Sequence, residues 1–132
     1  MKRPMVGLPP STWTEESLTI ILRVPVLAMR PNGRSHWFAK AAAVKRARSQ
    51  AKMITLNLLR GYEPPAAGGY SYRYYFHGVA WDDDNAIASP KAYLDGICDA
   101  LRIDDKALRF RELIRGTDRQ NPRIEIILHL KA

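Results

Sequence analysis

The sequence predicts a single α+β domain in which a mixed β-sheet packs against two main helices. Several β-branched or aromatic apolar stretches of strand type and two segments of helical periodicity occur along the chain. They do not follow the strict alternation of a parallel α/β fold. The length of 132 residues fits one domain, residues 1–132, and supports a hydrophobic core without disulfides or structural metals.

The first half is predicted to run from an arm through a strand to a long helix. Residues 1–16 hold three prolines and are interpreted as a loose N-terminal arm, and residues 17–24 are β-branched and apolar, as in a strand. A turn over residues 30–34 precedes Ser35, a candidate N-cap for a helix over residues 36–60. The predicted apolar stripe of this helix consists of Val44, Ala47, Ala51, Ile54 and Leu58.

The second half is predicted to continue with a loop over residues 61–69 and an aromatic strand over residues 70–79. Ser89 as N-cap and Pro90 at the first helical position predict a helix that ends near Leu101. Strands over residues 108–114 and 123–130, separated by a turn at residues 116–118, complete the sheet.

Cysteine content and hydropathy exclude several classes of protein. Cys98 is the single cysteine, so an intrachain disulfide and a cysteine-based zinc site are excluded, and its apolar neighbours predict a buried, inert thiol. No apolar run reaches the roughly 18 residues of a membrane span. The start of the chain, Met1-Lys2-Arg3-Pro4, lacks the apolar stretch of a signal peptide. The prediction is a cytoplasmic protein with no membrane partner.

Charge is strongly segregated along the chain. Seven of the eight aspartates lie between Asp82 and Asp105, where Lys91 and Arg102 are the only cations, so this acidic segment carries a net charge of −5 within a chain of +8. The basic remainder favours an anionic partner such as a nucleic acid, although a solvated basic surface is the alternative. Clustered carboxylate oxygens are the ligands that Mg²⁺ and Mn²⁺ prefer.

Spacing within the acidic segment predicts a site. Asp82 and Asp84 would point the same way on an extended segment, and Lys91 and Asp95, four residues apart on a helix, would share a face. The Asp104-Asp105 pair follows that helix closely and is expected to fold back toward the first cluster. The alternatives are a solvated acidic loop and an ordinary surface ion pair.

These residues resemble the signature of the RusA family of Holliday junction resolvases: Asp82-x-Asp84-Asn85, then Lys91, Asp95 and Asp104-Asp105. A weaker similarity covers residues 30–37. The interval from Asn85 to Lys91 is longer than in the family's pattern by about one helical turn. Asp83 stands where the family has an apolar residue, which leaves Asp82 or Asp83 as the ligand; counting back from Asn85 favours Asp82.

The resemblance implies a RusA-like endonuclease that resolves four-way DNA junctions by paired symmetric nicks, as a homodimer and without a small-molecule cofactor. It implies Mg²⁺ as the metal, with Mn²⁺ as a possible substitute, and favours a phage or prophage origin. The family's catalytic positions correspond to Asp82, Asp84, Lys91 and Asp105, of which Asp82, Asp84 and Asp105 are metal ligands. Asn85, Asp95 and Asp104 are candidate supporting residues.

Basic residues before and along the first helix are predicted to hold the DNA backbone, although a solvated helix flank explains those on the helix equally well. The predicted contacts are Arg30, Arg34, His36, Lys40, Lys45, Arg48 and Lys52. Two other functions stay open at this point. One is a non-catalytic nucleic-acid-binding module, and the other is a nuclease for other branched or flap DNA.

Overall fold

The computed structural model describes residues 8–26, 29 and 37–131. The fold is α+β, as predicted, with a mixed five-stranded sheet and two main helices. The strands are β1 (Thr12–Trp13), β2 (Ser17–Leu22), β3 (Ala67–Phe76), β4 (Arg109–Thr117) and β5 (Arg123–Leu130). The helices are α1 (Trp37–Leu59), α2 (Asp83–Ala88) and α3 (Lys91–Leu101), and a short 3₁₀ helix covers Asp105–Ala107.

The sheet has the strand order β1-β2-β5-β3-β4. Neighbouring strands are antiparallel except for β3 and β4, which are parallel. Parallel neighbours need a long crossover connection, and here the crossover contains α2 and α3. The whole acidic segment therefore lies on the connection between two adjacent strands.

One face of the sheet and the helices enclose the core. Alternate residues of β2, β3 and β5 point into it, and Leu94, Ile97 and Leu101 of α3 meet them from the other side. The sheet residues of this core are Leu18, Ile20, Leu22, Tyr72, Tyr74, Phe76, Ile124, Ile126 and Leu128. Within the described part of the chain, no helix is long and apolar enough to cross a membrane.

Helices α1 and α3 pack unusually closely because α3 carries a glycine at the contact. A Cβ atom on Gly96 would lie 2.1 Å from the backbone oxygen of Arg48, so any side chain there would collide with α1. On α1 the buried positions recur at every fourth residue and are mostly small: Ala43, Ala47, Ala51, Thr55 and Leu59. The predicted stripe was therefore only partly right: Ala47 and Ala51 are buried, but Val44 is exposed.

Several helix and strand boundaries differ from the predicted ones. The predicted arm contains β1, which pairs with β2, while residues 1–7 and the proposed cap Ser35 lie outside the described residues. Strand β3 begins at Ala67, inside the predicted loop, and β4 continues to Thr117, through most of the predicted turn. Strand β5 has the predicted bounds.

The largest difference concerns α2. The sequence interpretation made Asp82–Asp84 an extended segment, but Asp83–Ala88 is a helix with Asp82 as its N-cap. Ser89 is the C-cap of α2 rather than the N-cap of α3, whose cap position is taken by Pro90. The prediction that Asp82 and Asp84 alternate along a strand end was therefore wrong.

Candidate functional site

The first acidic group caps α2. One carboxylate oxygen of Asp82 accepts a hydrogen bond from the backbone N–H of Asn85 (2.8 Å), and the other accepts one from the Asn85 side-chain amide (3.2 Å). This pattern satisfies a helix N–H group that has no partner inside the helix. Both oxygens of Asp82 thus have a structural role at the start of α2.

The next two carboxylates of this helix differ in their partners. Asp83 forms an ion pair with Arg115 of β4, so the residue that departs from the family's pattern ties α2 to the sheet. Asp84 is exposed and has no hydrogen-bond or ion-pair partner among residues 8–26, 29 and 37–131. The hydroxyl of Tyr74 on β3 donates to the carbonyl oxygen of Ala86 (2.7 Å) and holds the helix from beneath.

The second acidic group surrounds Lys91. The ammonium group of Lys91 donates to Asp95 Oδ1 (2.7 Å), and it also donates to Asp105. The expected shared face of Lys91 and Asp95 is confirmed. The Asp104-Asp105 turn was expected to fold back toward the first acidic group, but its contact is a different one. It folds onto Lys91, fourteen positions earlier in the chain. Asp104 caps the 3₁₀ helix by accepting from the backbone N–H of Lys106 (3.0 Å).

These contacts fix the protonation states around Lys91. Partial burial lowers the pKa of Lys91, but hydrogen bonds to Asp105 and Asp95 outweigh it and raise the pKa to about 12. The hydrogen bond from Lys91 and the neighbouring Asp104 side chain lower the pKa of Asp105. Near neutral pH Lys91 is therefore a charged ammonium beside an ionised Asp105 carboxylate.

Beside this cluster lies an acidic cavity of about 180 Å³. It is lined by Arg48, Asp95, Cys98, Asp99, Ile103, Asp104 and Asp105. Arg48 of α1 binds Asp99 through two hydrogen bonds (2.7 and 2.9 Å), and this contact lowers the pKa of the Asp99 carboxyl. Arg48, predicted to contact phosphate, is thus paired within the protein.

Cys98 fulfils the prediction of a buried, inert thiol. Its side chain is 4% exposed, and burial together with the nearby Asp105 and Asp95 raises the pKa of the thiol to about 12. A thiol nucleophile needs its thiolate form. Cys98 is therefore a packing residue at the floor of an acidic site.

A second cavity, of about 220 Å³, lies on the other side of Lys91. Its lining, which is mostly apolar, consists of Met29, Lys40, Val44, Ala88, Ser89, Lys91, Ala92 and Asp95. We call it the apolar cavity. Lys91 and Asp95 belong to its wall, and Asp95 also lines the acidic cavity. The ion pair between them therefore separates the two cavities.

The carboxylates supply the right donors for a divalent cation, but no ready-made cage. Asp82, Asp84 and Asp105 do not come together, and the described residues contain no group of three or more His, Cys, Asp or Glu side chains placed to hold a metal ion. Mg²⁺ is commonly bound by one or two carboxylates together with substrate phosphates. The acidic residues suit this ion when DNA supplies the remaining ligands.

The predicted DNA-binding residues fall into four groups. Arg30, Arg34 and His36 lie outside the described residues. Lys40 lines the apolar cavity beside Lys91, whereas Lys45 and Lys52 are exposed on α1. The basic helix face is therefore present, with Arg48 engaged by Asp99.

Sequence reasoning missed three residues at this site. Asp99 anchors Arg48, Arg115 pairs with Asp83, and Ser89 lines the apolar cavity with a buried hydroxyl. The i, i+4 spacing of Asp95 and Asp99 was a usable signal, since it places both carboxylates on one face of α3. Nothing in the local sequence pointed to Arg115, because its partner lies on another element.

Comparison with known proteins places the chain in a family. No protein-family model matches it. An uncharacterized protein of Xylella fastidiosa (strain Temecula1) is 34% identical over 117 residues, a stretch that covers 86% of this chain and 75% of that protein. The chain belongs to the same family as this Xylella protein. The likeness to RusA resolvases rests on the motif residues themselves.

Proposed function

We propose that this protein is a structure-specific endodeoxyribonuclease that resolves four-way DNA junctions by paired symmetric nicks in DNA recombination and repair. The observation that carries the proposal is the Lys91 cluster. The fold brings a lysine and two aspartates, spread over residues 91–105, into direct contact beside a cavity rich in carboxylates. These are three positions of the motif that resembles the RusA signature.

The chemistry of phosphodiester cleavage suits the cluster. Lys91 would act as a point charge beside the scissile phosphate and stabilise the charge that develops there. Asp95 and Asp105 hold its ammonium group in one place, because both accept hydrogen bonds from it. Carboxylates such as Asp84 and Asp105 would hold a Mg²⁺ ion together with the substrate phosphate, and the ion would supply a water of lowered pKa and screen the phosphate charge. Asp84, which is exposed and unpaired in the described structure, is available to such a complex.

The surrounding charge suits a DNA substrate. Lys45 and Lys52 lie exposed on the helix that forms one side of the acidic cavity, and Lys40 lies on the same helix by the apolar cavity. Contacts of this kind bind phosphates without reading sequence, and affinity falls steeply with salt. We further propose a homodimer, since two opposed strands must be cut together, and action in the cytoplasm.

The test is cleavage of a labelled synthetic four-way junction with Mg²⁺ or EDTA. Wild-type protein would be compared with Asp105→Asn and with Glu112→Gln, a matched control that removes an exposed carboxylate on β4. Paired nicks that need Mg²⁺, persist in the control and disappear in Asp105→Asn are the expected result. A flap of the same length tests the broader nuclease: equal cutting of flap and junction would replace the resolvase assignment.

One observation favours a second function, that of a non-catalytic nucleic-acid-binding module. Both carboxylate oxygens of Asp82 accept hydrogen bonds at the start of α2, so part of the acidic motif has a structural explanation. This alternative predicts tight junction binding with no nicks in either Mg²⁺ or EDTA. That outcome would leave the remaining carboxylates as a negative patch that orients DNA on the basic surface.

A further inference from the structure

The apolar cavity contains a polar group without a partner. Ser89 is 2% exposed, and its hydroxyl makes no hydrogen bond to any described residue. Buried hydroxyl groups in folded proteins are almost always paired, so each exception calls for an explanation. Ser89 lines a cavity that is open to solvent on one side. Its hydroxyl has almost no accessible surface in this conformation, so a ligand would pair with it after rotation of the side chain.

The dimensions of the cavity match one aromatic ring system. Its volume is about 220 Å³, and an apolar cavity of about 150 Å³ is enough to hold benzene. Val44 of α1 and Ala92 of α3 form parts of its apolar wall, while Ser89 provides a hydrogen-bonding group. A nucleobase has the same two-sided character, since its faces are apolar and its edge carries donors and acceptors.

The cations of the cavity wall add a preference for a nucleotide over a neutral ring. Two cations and one carboxylate line the cavity: Lys40, Lys91 and Asp95, which accepts a hydrogen bond from Lys91. The side chain of Lys91 is 55% exposed. A base in the cavity would place its own or an adjoining phosphate near these ammonium groups. Lys91 also contacts the acidic cavity through Asp95 and Asp105, so the two cavities would hold neighbouring parts of one strand.

We propose that the apolar cavity binds a single unstacked nucleobase of the DNA strand, next to Lys91. This inference rests on the proposed function and adds a base-binding site to it. Branched DNA suits such a site because extruding a base costs least where stacking is already disturbed. The cavity would then hold the strand in register relative to Lys91, with the Ser89 hydroxyl paired by the edge of the base.

The test uses binding without cutting. A series of four-way junctions is prepared, each with 2-aminopurine at a different single position near the branch. Each junction is titrated with protein in EDTA. Loss of stacking raises 2-aminopurine fluorescence, so wild-type protein is expected to give a rise of several fold at one or two positions. A second label on the junction reports binding independently.

Two variants locate the signal. Val44→Phe fills the cavity from α1 and is expected to abolish the rise while the junction still binds. Met53→Phe is the matched control, since Met53 is an exposed residue of the same helix that does not line the cavity; it should retain the rise. Ser89→Ala, which removes only the hydroxyl, should weaken the rise. An unchanged rise in Val44→Phe, or no rise at any position of a bound junction, would overturn the proposal.

A third arm separates this site from the proposed nuclease. If the protein does not bind junctions, the resolvase proposal fails, and the same labelled base is presented in a short single strand. A rise that Val44→Phe removes would support the base site alone, and its absence would refute that site as well. Deoxynucleoside monophosphates are the final arm: if they compete at micromolar concentration, the cavity takes free nucleotides rather than a base within a strand.

Discussion

Two charged clusters lie on opposite faces of this molecule, and they differ in balance. On the sheet face away from the helices, Glu125 is 6% exposed and binds both Arg73 (2.9 Å) and Arg123 (2.8 Å). Arg123 also binds Asp118 (3.0 Å) and stacks 4.1 Å above the ring of Tyr75. Two arginines thus meet two carboxylates, and every charge has a partner.

On the helix side, carboxylates exceed cations. Asp95, Asp99, Asp104 and Asp105 line the acidic cavity. Among the residues that the structure describes, Lys91 and Arg48 are the cations that form ion pairs with them. A buried ion pair with balanced charges contributes to stability, because removing one charged side chain leaves its partner buried without a counter-charge. An excess of one sign at a partly exposed cavity instead leaves a field that an incoming cation or ammonium can use. We expect the first cluster to govern stability and the second to govern activity.

The largest expected effect is on cleavage. Lys91→Ala should lower the rate of junction cutting by about 10²–10³-fold, the usual cost of losing one positioned group that stabilises transition-state charge. Junction affinity and melting temperature should change little, because the Lys91 side chain is 55% exposed. Single-turnover cleavage, a binding titration and a thermal melt measure the three quantities.

Lys106→Ala is the matched control for this experiment, since Lys106 is an exposed lysine beside the same cluster. It should cut normally. If Lys91→Ala loses binding, folding and cutting together, then Lys91 is a structural residue and the contrast between the two clusters fails.

The sheet cluster should show the opposite behaviour. Glu125→Gln leaves two arginines without their shared carboxylate and should lower the free energy of unfolding by about 2 kcal/mol, less than for a fully buried pair because Arg73 is partly exposed. Urea denaturation measures this change. Cleavage per folded molecule should stay the same. A loss below about 0.5 kcal/mol, equal to that of an ordinary surface substitution, would mean that the sheet cluster is not a stabilising unit.

A pair of substitutions at Asp82 separates capping from chemistry. Asp82→Ala should destabilise the protein by about 1 kcal/mol, since α2 loses its N-cap, whereas Asn is about as good a cap as Asp. Asp82→Asn should therefore keep the melting temperature. Loss of cutting in this stable variant would identify a chemical role for the carboxylate, and full activity would assign Asp82 to the structural group.

The smallest expected effect concerns the ion pair between α1 and α3. Arg48→Gln should cost about 0.5 kcal/mol near neutral pH, as expected for a pair that is half exposed. Arg48 lowers the pKa of Asp99 in the folded state. The pair therefore contributes fully above the ordinary Asp pKa of about 3.9 and loses its contribution as pH falls through the lowered folded value.

Urea denaturation from pH 3 to pH 7 measures that dependence. The stability difference between wild type and Arg48→Gln should shrink toward the acidic end. A difference that is constant with pH would contradict the assignment and indicate that Arg48 acts through the packing of its aliphatic stem.

The strands and helices that carry apolar patterns were predictable from sequence. Strand β5 has its predicted bounds, and Cys98 of α3 is buried with its apolar neighbours as expected. Helix α1 was harder, because its buried face consists largely of alanines that are buried by the closeness of α3 rather than by their size. That closeness depends on Gly96, which lies 48 residues beyond its contact Arg48 in the chain, and no periodicity in α1 encodes it.

Only the part of the site around Lys91 was predictable from the sequence. Lys91 and Asp95 follow from helical spacing, which is a local rule. Helix α2 was missed since Ala86 is its only buried residue, which gives no apolar periodicity to detect. The signal available was the spacing of Asp82 and Asn85, because a capping residue binds the N–H group of the third helical position. Glu125 pairs with Arg73 on the neighbouring strand, a contact that no local spacing encodes.

The crossover between β3 and β4 has a consequence for how the site is inherited. Both acidic groups, Lys91 and the Ser89 wall of the apolar cavity lie within residues 77–108, and the two ends of this segment join adjacent parallel strands. The acidic residues and Lys91 are therefore carried by one continuous segment, and α1 completes both cavities through Lys40, Val44 and Arg48. A foreign segment exchanged for residues 77–108 should leave the sheet unchanged only if it carries a glycine at position 96, because any side chain there would collide with the backbone of α1.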